Sequence, residues 1–354
     1  MPLDTSQGRS NNSDTTTVTG TLQGPTGTTV TVNGIAATIT GNGYSAANVP
    51  VGYGNTTLNV TATAPDGSLG TSTVSLVGTS TILQISSPLD GAAINGDAIL
   101  VTGHFQGPLN SGVTVNGVTA NIVNGTFYAN NVPLAPGANT LTATYTMQDG
   151  TTASQVINIT SSGTNPIQVT ATDYDGLAPM TFNLGVTDTT GNPILSVSVD
   201  PGGNGSVGTL TIGSYDATIP LTYPNPGTYT PTVTVTDALG NHSQTVTIVV
   251  RDISAVDSLL RNIYGGMLTK LKAGDINGAL TAVTDGMHAK YQNVFTQLGA
   301  NLSSAVDQIG TLQTGALNSE MAEYTVLRSA GGSAQTFLIY FLRGDDGVWQ
   351  IDGM

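Results

Sequence analysis

Three histidines, His104, His242 and His288, are the side chains that titrate nearest neutrality, and they stand far apart in the chain. None has a second histidine at ligand spacing. Cysteine is absent, which removes thiolate chemistry and every zinc pattern that depends on it. An acid, a base and an orienting partner could gather only near the C-terminal end, from Tyr264, Asp285, His288 and Tyr291. His288 and Tyr291 are three residues apart, so a helix would carry both on one side. With a pocket behind them, Tyr264, His288 and Tyr291 would bind a small ligand. The plainer expectation is that the tyrosines pack in a core, His288 faces solvent, and the chain is not an enzyme. A second set, Asp173, Asp175, Asp188 and Asp200, falls in loops and could offer oxygen ligands to calcium. The segment TDYDGLAP lacks the spacing of an EF-hand, and aspartate is equally a turn former. No other cofactor is expected.

The elements that must position these residues are announced by charge. The eight basic residues are Arg9, Arg251, Arg261, Lys270, Lys272, Lys290, Arg328 and Arg343, leaving none from Ser10 to Val250. Every acid before Arg251 is Asp, and the only glutamates are Glu320 and Glu323. Two compositional regimes therefore meet near Arg251. A formal net charge of −14 without a basic stripe lacks the footprint that neutralises phosphates, so nucleic acid and anionic membranes are not expected partners. The Thr, Asn, Ser and Gly richness resembles that of exported bacterial surface proteins, so an extracellular or cell-surface location is expected. The opening MPLDTSQGRS has no signal-peptide core, and no apolar run is long enough to span a bilayer, so no membrane insertion is expected of this fragment.

The pentapeptide VTVNG occurs at Val30 and again at Val113, inside a longer repeat that runs without a gap from Val18 and Val101, an offset of 83 residues (101 − 18). VTGTLQGP matches VTGHFQGP, and Asp66-Gly67 matches Asp149-Gly150. A period this long points to tandem domains rather than solenoid units. Within each copy, apolar residues alternate on both sides of Asn-Gly, the preferred centre of a tight hairpin because both positions need positive φ. Short alternating strands between turn residues predict an antiparallel sandwich of the immunoglobulin type.

Ser86-Ser87-Pro88-Leu89-Asp90-Gly91, the VTVNG hairpin and Val132-Pro133-Leu134 with its following Gly137-Ala138-Asn139 resemble the glucodextranase B-like module of bacterial proteins. The first copy opens on Pro2-Leu3-Asp4, without the glycine, and takes longer to reach VTG. Beginning where a repeat begins, the chain reads as a piece of something longer. From Asn165 to Asp252, Pro226-Gly227-Thr228-Tyr229 followed by Val233-Thr234-Val235-Thr236-Asp237 resembles the polycystic-kidney-disease-type (PKD) Ig-like domain. That family's Trp-Asp-Phe-Gly-Asp-Gly is replaced by Val199-Asp200-Pro201-Gly202-Gly203-Asn204-Gly205.

After Arg251 the apolar period changes to three and four: Val256, Leu259, Leu260, Ile263, Met267, Leu271. Gly274 is expected to end this helix and Asp275 to cap the next. Further helices are expected over 286–298 and 302–309, then strands ending in VWQIDGM with a hairpin at Asp345-Asp346-Gly347. Helices followed by such a meander resemble the nuclear-transport-factor-two-like cone fold, whose members range from isomerases to binding domains, so the fold implies no chemistry.

The expected architecture is multidomain: three all-β immunoglobulin-like sandwiches (1–80, 81–163, 164–252) and an α+β domain of helices on a curved antiparallel sheet (253–354). Sandwiches of about 25 Å in series would reach on the order of 100 Å with their loops. The expected function is a non-enzymatic extracellular or cell-surface spacer or adhesion fragment presenting the C-terminal domain to a cell-surface protein. Two alternatives stand beside it. One is polysaccharide binding as accessory modules of a degrading enzyme, against which the single tryptophan, Trp349, falls in a core strand. The other is a small ligand in the C-terminal cone.

Overall fold

Threonine alternating with aliphatic residues builds most of the molecule as antiparallel sheet. The computed structural model describes residues 3–5, 10–11, 13–330 and 333–354; Pro2 of the opening motif and Arg9 lie outside them. The chain divides into two compact units, Met1–Ile82 with Phe105–Pro108, and Leu83–His104 with Leu109–Met354.

In the first unit, Gly54–Thr63 pairs with Leu69–Gly78 on one side and Thr29–Val32 on the other. Leu58, Val60 and Ala62 are buried while Asn59 between them is exposed, the period-two pattern of a sheet with one wet face. A second sheet of Thr15–Leu22, Gly43–Pro50 and Thr38–Thr40 turns Val18, Ala46 and Val49 to the same core, completing a sandwich.

The second repeat reuses these strands in one continuous eight-stranded path. Its Val118–Val123 pairs first with Ser111–Val115 and then with Thr126–Pro133, where the first repeat breaks the same stretch into Ile35–Ala36 and Thr38–Thr40. Each VTVNG ends in the expected turn. The φ angles are 46° and 84° at Asn33 and Gly34, and 48° and 82° at Asn116 and Gly117, the positive pair of a two-residue hairpin. Both asparagines also reach the next strand: Asn116 Oδ1 accepts from Thr142 N–H at 2.9 Å and Asn33 Oδ1 from Asn59 N–H at 2.8 Å.

Residues 167–251 form further sheets around one core that includes Phe182, Leu184, Ile219, Tyr223 and Val235. The rings of Tyr223 and Tyr229 stack at 3.9 Å, and their hydroxyls donate to Pro201 and Asn225 carbonyls. The period change after Arg251 marks helix α1 (Ile253–Lys272), N-capped by Asp252, whose side chain accepts from Ser254 N–H. Gly274 follows it at φ 79°, and Asp275 caps α2 (Ile276–Leu280) through Gly278 N–H. Helices α3 (Asp285–Leu298) and α4 (Leu302–Asp307) complete the layer. A four-stranded antiparallel meander, Ile309–Leu317, Met321–Ala330, Ser333–Arg343 and Trp349–Gly353, closes over them. Leu260, Met267 and Phe295 from the helices share one core with Tyr324, Phe341 and Ile351 from the sheet.

The expectation of modules strung in series needs correction within the second unit. Both residues 164–252 and the C-terminal domain make direct contacts with the second repeat, because its loops and one strand carry side chains that hydrogen-bond to the backbone of both.

Candidate functional site

The three C-terminal candidates are sent to three different stretches of backbone. His288, in the first turn of α3, lies with Nε2 2.9 Å from the Val283 carbonyl, which fixes Nε2 as the protonated nitrogen in that bond. Its Nδ1 is 3.8 Å from Asp285 Oδ1, an ion-pair distance beyond a hydrogen bond, and that carboxylate is almost wholly exposed. Tyr291 ties down the chain end: its hydroxyl accepts from Met354 N–H at 2.6 Å and donates to the Met354 carbonyl at 3.2 Å. The ring stacks on Phe295. Tyr264 is buried, its hydroxyl 3.3 Å from the Gly310 carbonyl, and burial pushes its pKa up to about 12.

A groove of about 560 Å³ runs between α1 and strand Ile309–Leu317, lined by Ile253, Asp257, Arg261, Leu312 and Leu317, and includes none of these three residues. Its polar groups hold the strand to the helix. Arg261 Nε donates to Asp257 Oδ2 at 2.8 Å, its Nη1 and Nη2 donate to the carbonyls of Leu312 and Gln313, and Tyr324 donates to Asp257 Oδ1 at 2.7 Å. The hydrogen bond from Arg261 holds the Asp257 carboxyl below its ordinary range, while burial pushes the Tyr324 hydroxyl up.

The four aspartates also separate. Asp173 is exposed. Asp200 accepts from Gly202 N–H at 2.9 Å and shapes its own turn. Asp188 is buried and accepts from the Thr190 amide and hydroxyl at 2.8 and 2.6 Å. That hydroxyl is also 2.6 Å from Asp237 Oδ2, and one proton can serve only one of the two carboxylates at a time. Hydrogen bonds from Thr190, Leu239 N–H and His242 hold Asp237 below the usual carboxylate range. Among the described residues no three His, Asp or Glu side chains gather as a metal site.

Asp175 is not free to take a cation, contrary to its place in the calcium set. Arg251 Nε donates to both its oxygens, at 2.7 and 2.9 Å, and Arg343 Nη1 donates to Oδ2 at 2.5 Å. Burial pulls the Arg343 guanidinium below its ordinary value, and the Asp175 charge opposes that shift. Arg251 Nη1 continues to the Ile122 carbonyl at 3.1 Å, so one carboxylate between two guanidiniums links the second repeat, the third sheet domain and the C-terminal meander.

Around this node lie residues that the sequence reading passed over. Asn110 grips the main chain of Trp349 with both ends of its amide: Oδ1 accepts from Trp349 N–H at 2.9 Å and Nδ2 donates to its carbonyl at 2.8 Å. Asn130 holds Thr247 the same way, at 2.8 Å in each direction. Asn131 Nδ2 reaches the Val169 carbonyl and the Tyr174 hydroxyl at 2.8 Å, and Asn121 Nδ2 the Tyr174 carbonyl at 3.2 Å. An asparagine amide offers one donor group and one acceptor group, the pair that an edge of backbone presents, so Asn110 and Asn130 each stand in for a backbone neighbour, while Asn121 and Asn131 reach backbone through Nδ2 alone. The signal in the sequence was a difference between the copies: Asn110, Asn121 and Asn130 align with Gly27, Thr38 and Ala47.

No protein-family model matches the chain, and no curated protein matches it either. Among solved structures, an I-band fragment of titin is similar at 11% identity, covering 71% of this chain and 99% of that one, with a TM-score of 0.20. The Bacteroides ovatus mixed-linkage glucan utilization protein SGBP-B, in complex with a mixed-linkage heptasaccharide, is similar at 13% identity over 69% of this chain and 65% of that one, with a TM-score of 0.20. The human desmocollin-1 ectodomain is similar at 11% identity over 70% and 58%, with a TM-score of 0.22. No described helix is long and apolar enough to cross a membrane.

Proposed function

We propose that this chain is a non-enzymatic extracellular or cell-surface spacer or adhesion protein of bacterial origin, in which immunoglobulin-like modules present the C-terminal α+β domain to a cell-surface protein. The observation that carries the reading is the two-ended grip of Asn110 on Trp349 beside the Asp175–Arg343 ion pair. A presenting scaffold needs its cargo in a fixed orientation, and buried bonds to main chain supply one. Two further features support it: the duplicated sandwich, and the absence of Lys and Arg from Ser10 to Val250 in a chain of net charge −14, which favours solubility over adsorption to anionic surfaces.

The test is to display the full chain on a non-adherent bacterium and measure attachment to protein-coated and polysaccharide-coated surfaces. Attachment to protein that is blocked by Fab fragments against residues 253–354 is the expected result. Attachment competed by soluble polysaccharide and indifferent to those Fabs would move the binding function to the sandwiches. Attachment to neither surface would end the adhesion reading.

A further inference from the structure

We infer that the second repeat is a dedicated intramolecular docking platform for the third sheet domain and the C-terminal domain, and that its docking specificity is written in five of the positions where it differs from the first. Five contacts carry this. Asn110 holds Trp349, Asn130 holds Thr247, and Asn121 holds the Tyr174 carbonyl. The Thr119 hydroxyl donates to the Asp345 carbonyl. At Gly112 the hairpin around Asp346 comes so close that an added Cβ would overlap the Asp346 carbonyl oxygen, and a Cβ on Gly347 would lie 3.2 Å from the Gly112 Cα.

At the 83-residue offset these five residues align with Gly27, Ala47, Thr38, Ala36 and Thr29. Three amides and a hydroxyl are missing from the first copy, and the one position that must be bare carries a threonine. Asn110, Asn121, Asn130 and Gly112 are buried, whereas Gly27, Thr38, Ala47 and Thr29 are exposed. Asn131 is the instructive exception, since it matches Asn48. Both have positive φ, 51° and 56°, a conformation that asparagine tolerates better than most residues, so the backbone alone accounts for that match. The five differences are not needed for the sandwich itself, because the first copy folds without them. They act between domains.

The first copy thereby supplies substitutions already compatible with this sandwich. In the full chain, Gly112→Thr and, separately, the triple change N110G/N121T/N130A install its residues on the platform. Three measurements suffice: urea unfolding by Trp349 fluorescence, urea unfolding followed by hydrogen exchange at second-repeat amides away from the junction, and hydrogen exchange at the Trp349 amide. Trp349 is the only tryptophan, so its emission reports the C-terminal domain alone. In the unaltered chain the fluorescence change is expected to coincide with loss of the second repeat's structure, as one cooperative step requires. In either variant the fluorescence midpoint should fall and separate, and Trp349 exchange should quicken by about tenfold or more as its hydrogen bond is lost or its neighbour displaced. Second-repeat amides away from the junction should keep their protection, which distinguishes undocking from a damaged sandwich. Coincident midpoints with unchanged Trp349 exchange in both variants would overturn the inference. So would an unaltered chain in which the fluorescence step is already separate. The outcome is independent of the proposed surface role, because every readout is of folding.

Discussion

The two repeats share a sandwich and part company on one face. In the first copy that face is threonine, alanine and glycine at the surface; in the second it is asparagine and glycine beneath two other domains. Some core positions are kept unchanged: Val30 and Val113, Ala46 and Ala129, and Val49 and Val132 are all buried. The copies diverge at many positions inside and out, but the amides that reach other domains are found in the second alone, and a handful of them makes that module a platform. The difference teaches that directed polar contacts mark the docking face. Each asparagine satisfies main-chain groups that would otherwise lose their partners on burial.

The strongest way to strain this comparison is to damage the platform from within. Phe127, fully buried where the first copy has Tyr44, anchors the second core. Phe127→Ala should cost about 3–5 kcal/mol, and urea unfolding should show the Trp349 transition falling together with the sandwich. A Trp349 transition that stays in place would mean that the C-terminal domain does not depend on the platform. Next comes the node. Arg343→Ala leaves Asp175 with Arg251 alone, so the loss should be about 2 kcal/mol, less than when a buried charge is left with no partner. Arg343→Lys should recover only part of it, because one ammonium cannot reproduce the guanidinium's separate bonds to Asp175 and the Gly347 carbonyl.

A smaller effect tests what the copies have in common. Nothing lies within 4 Å of a Cβ built on Gly34 or Gly117, so alanine there pays only for its left-handed backbone. The cost should be about 1–2 kcal/mol in each, read by thermal unfolding, and near equal. Clearly unequal costs would show that one VTVNG turn does more than turn. The smallest effect concerns Asp66 and Asp149, which hold the last hairpin of each copy. Hydrogen bonds from Ser68 and Thr151, chiefly their amides, lower both carboxyl pKa values. Because the folded values lie below the unfolded ones, each contributes stability that is complete above the ordinary carboxylate range and lost as pH falls through the lowered values. Carbon-detected NMR titration should place both midpoints below that range, and a midpoint above it in either copy would break the equivalence.

Much of this fold was legible because it is local. The Asn-Gly turns, the switch from period two to the three and four spacing at Val256, and the Asp275 cap are each written in neighbouring residues, and each is found where expected. The junction was not legible, since an asparagine in an alternating strand reads as a solvent-facing residue until another domain covers it. Asp175 misled for the same reason. Expected in a loop, it instead begins the strand Asp175–Leu177, and an aspartate reads as an open ligand until its cations are known; Arg343 stands 168 residues away. The tyrosines were legible as core residues, but their hydroxyl partners, Gly310 and Met354, are carbonyls that no side-chain pattern announces.

The uneven placement of basic residues has a consequence for proteolysis. A protease that cleaves after arginine or lysine finds no such residue from Ser10 to Val250, however far the sandwiches open. The next one after that stretch, Arg251, has its guanidinium engaged by Asp175 and Ile122, and Arg343 on the far side of the same carboxylate is half-buried and engaged as well. Limited digestion by a trypsin-like protease should therefore leave residues 10–251 as one uncut piece while the residues after it are cleaved, an outcome that mass spectrometry of the digest checks.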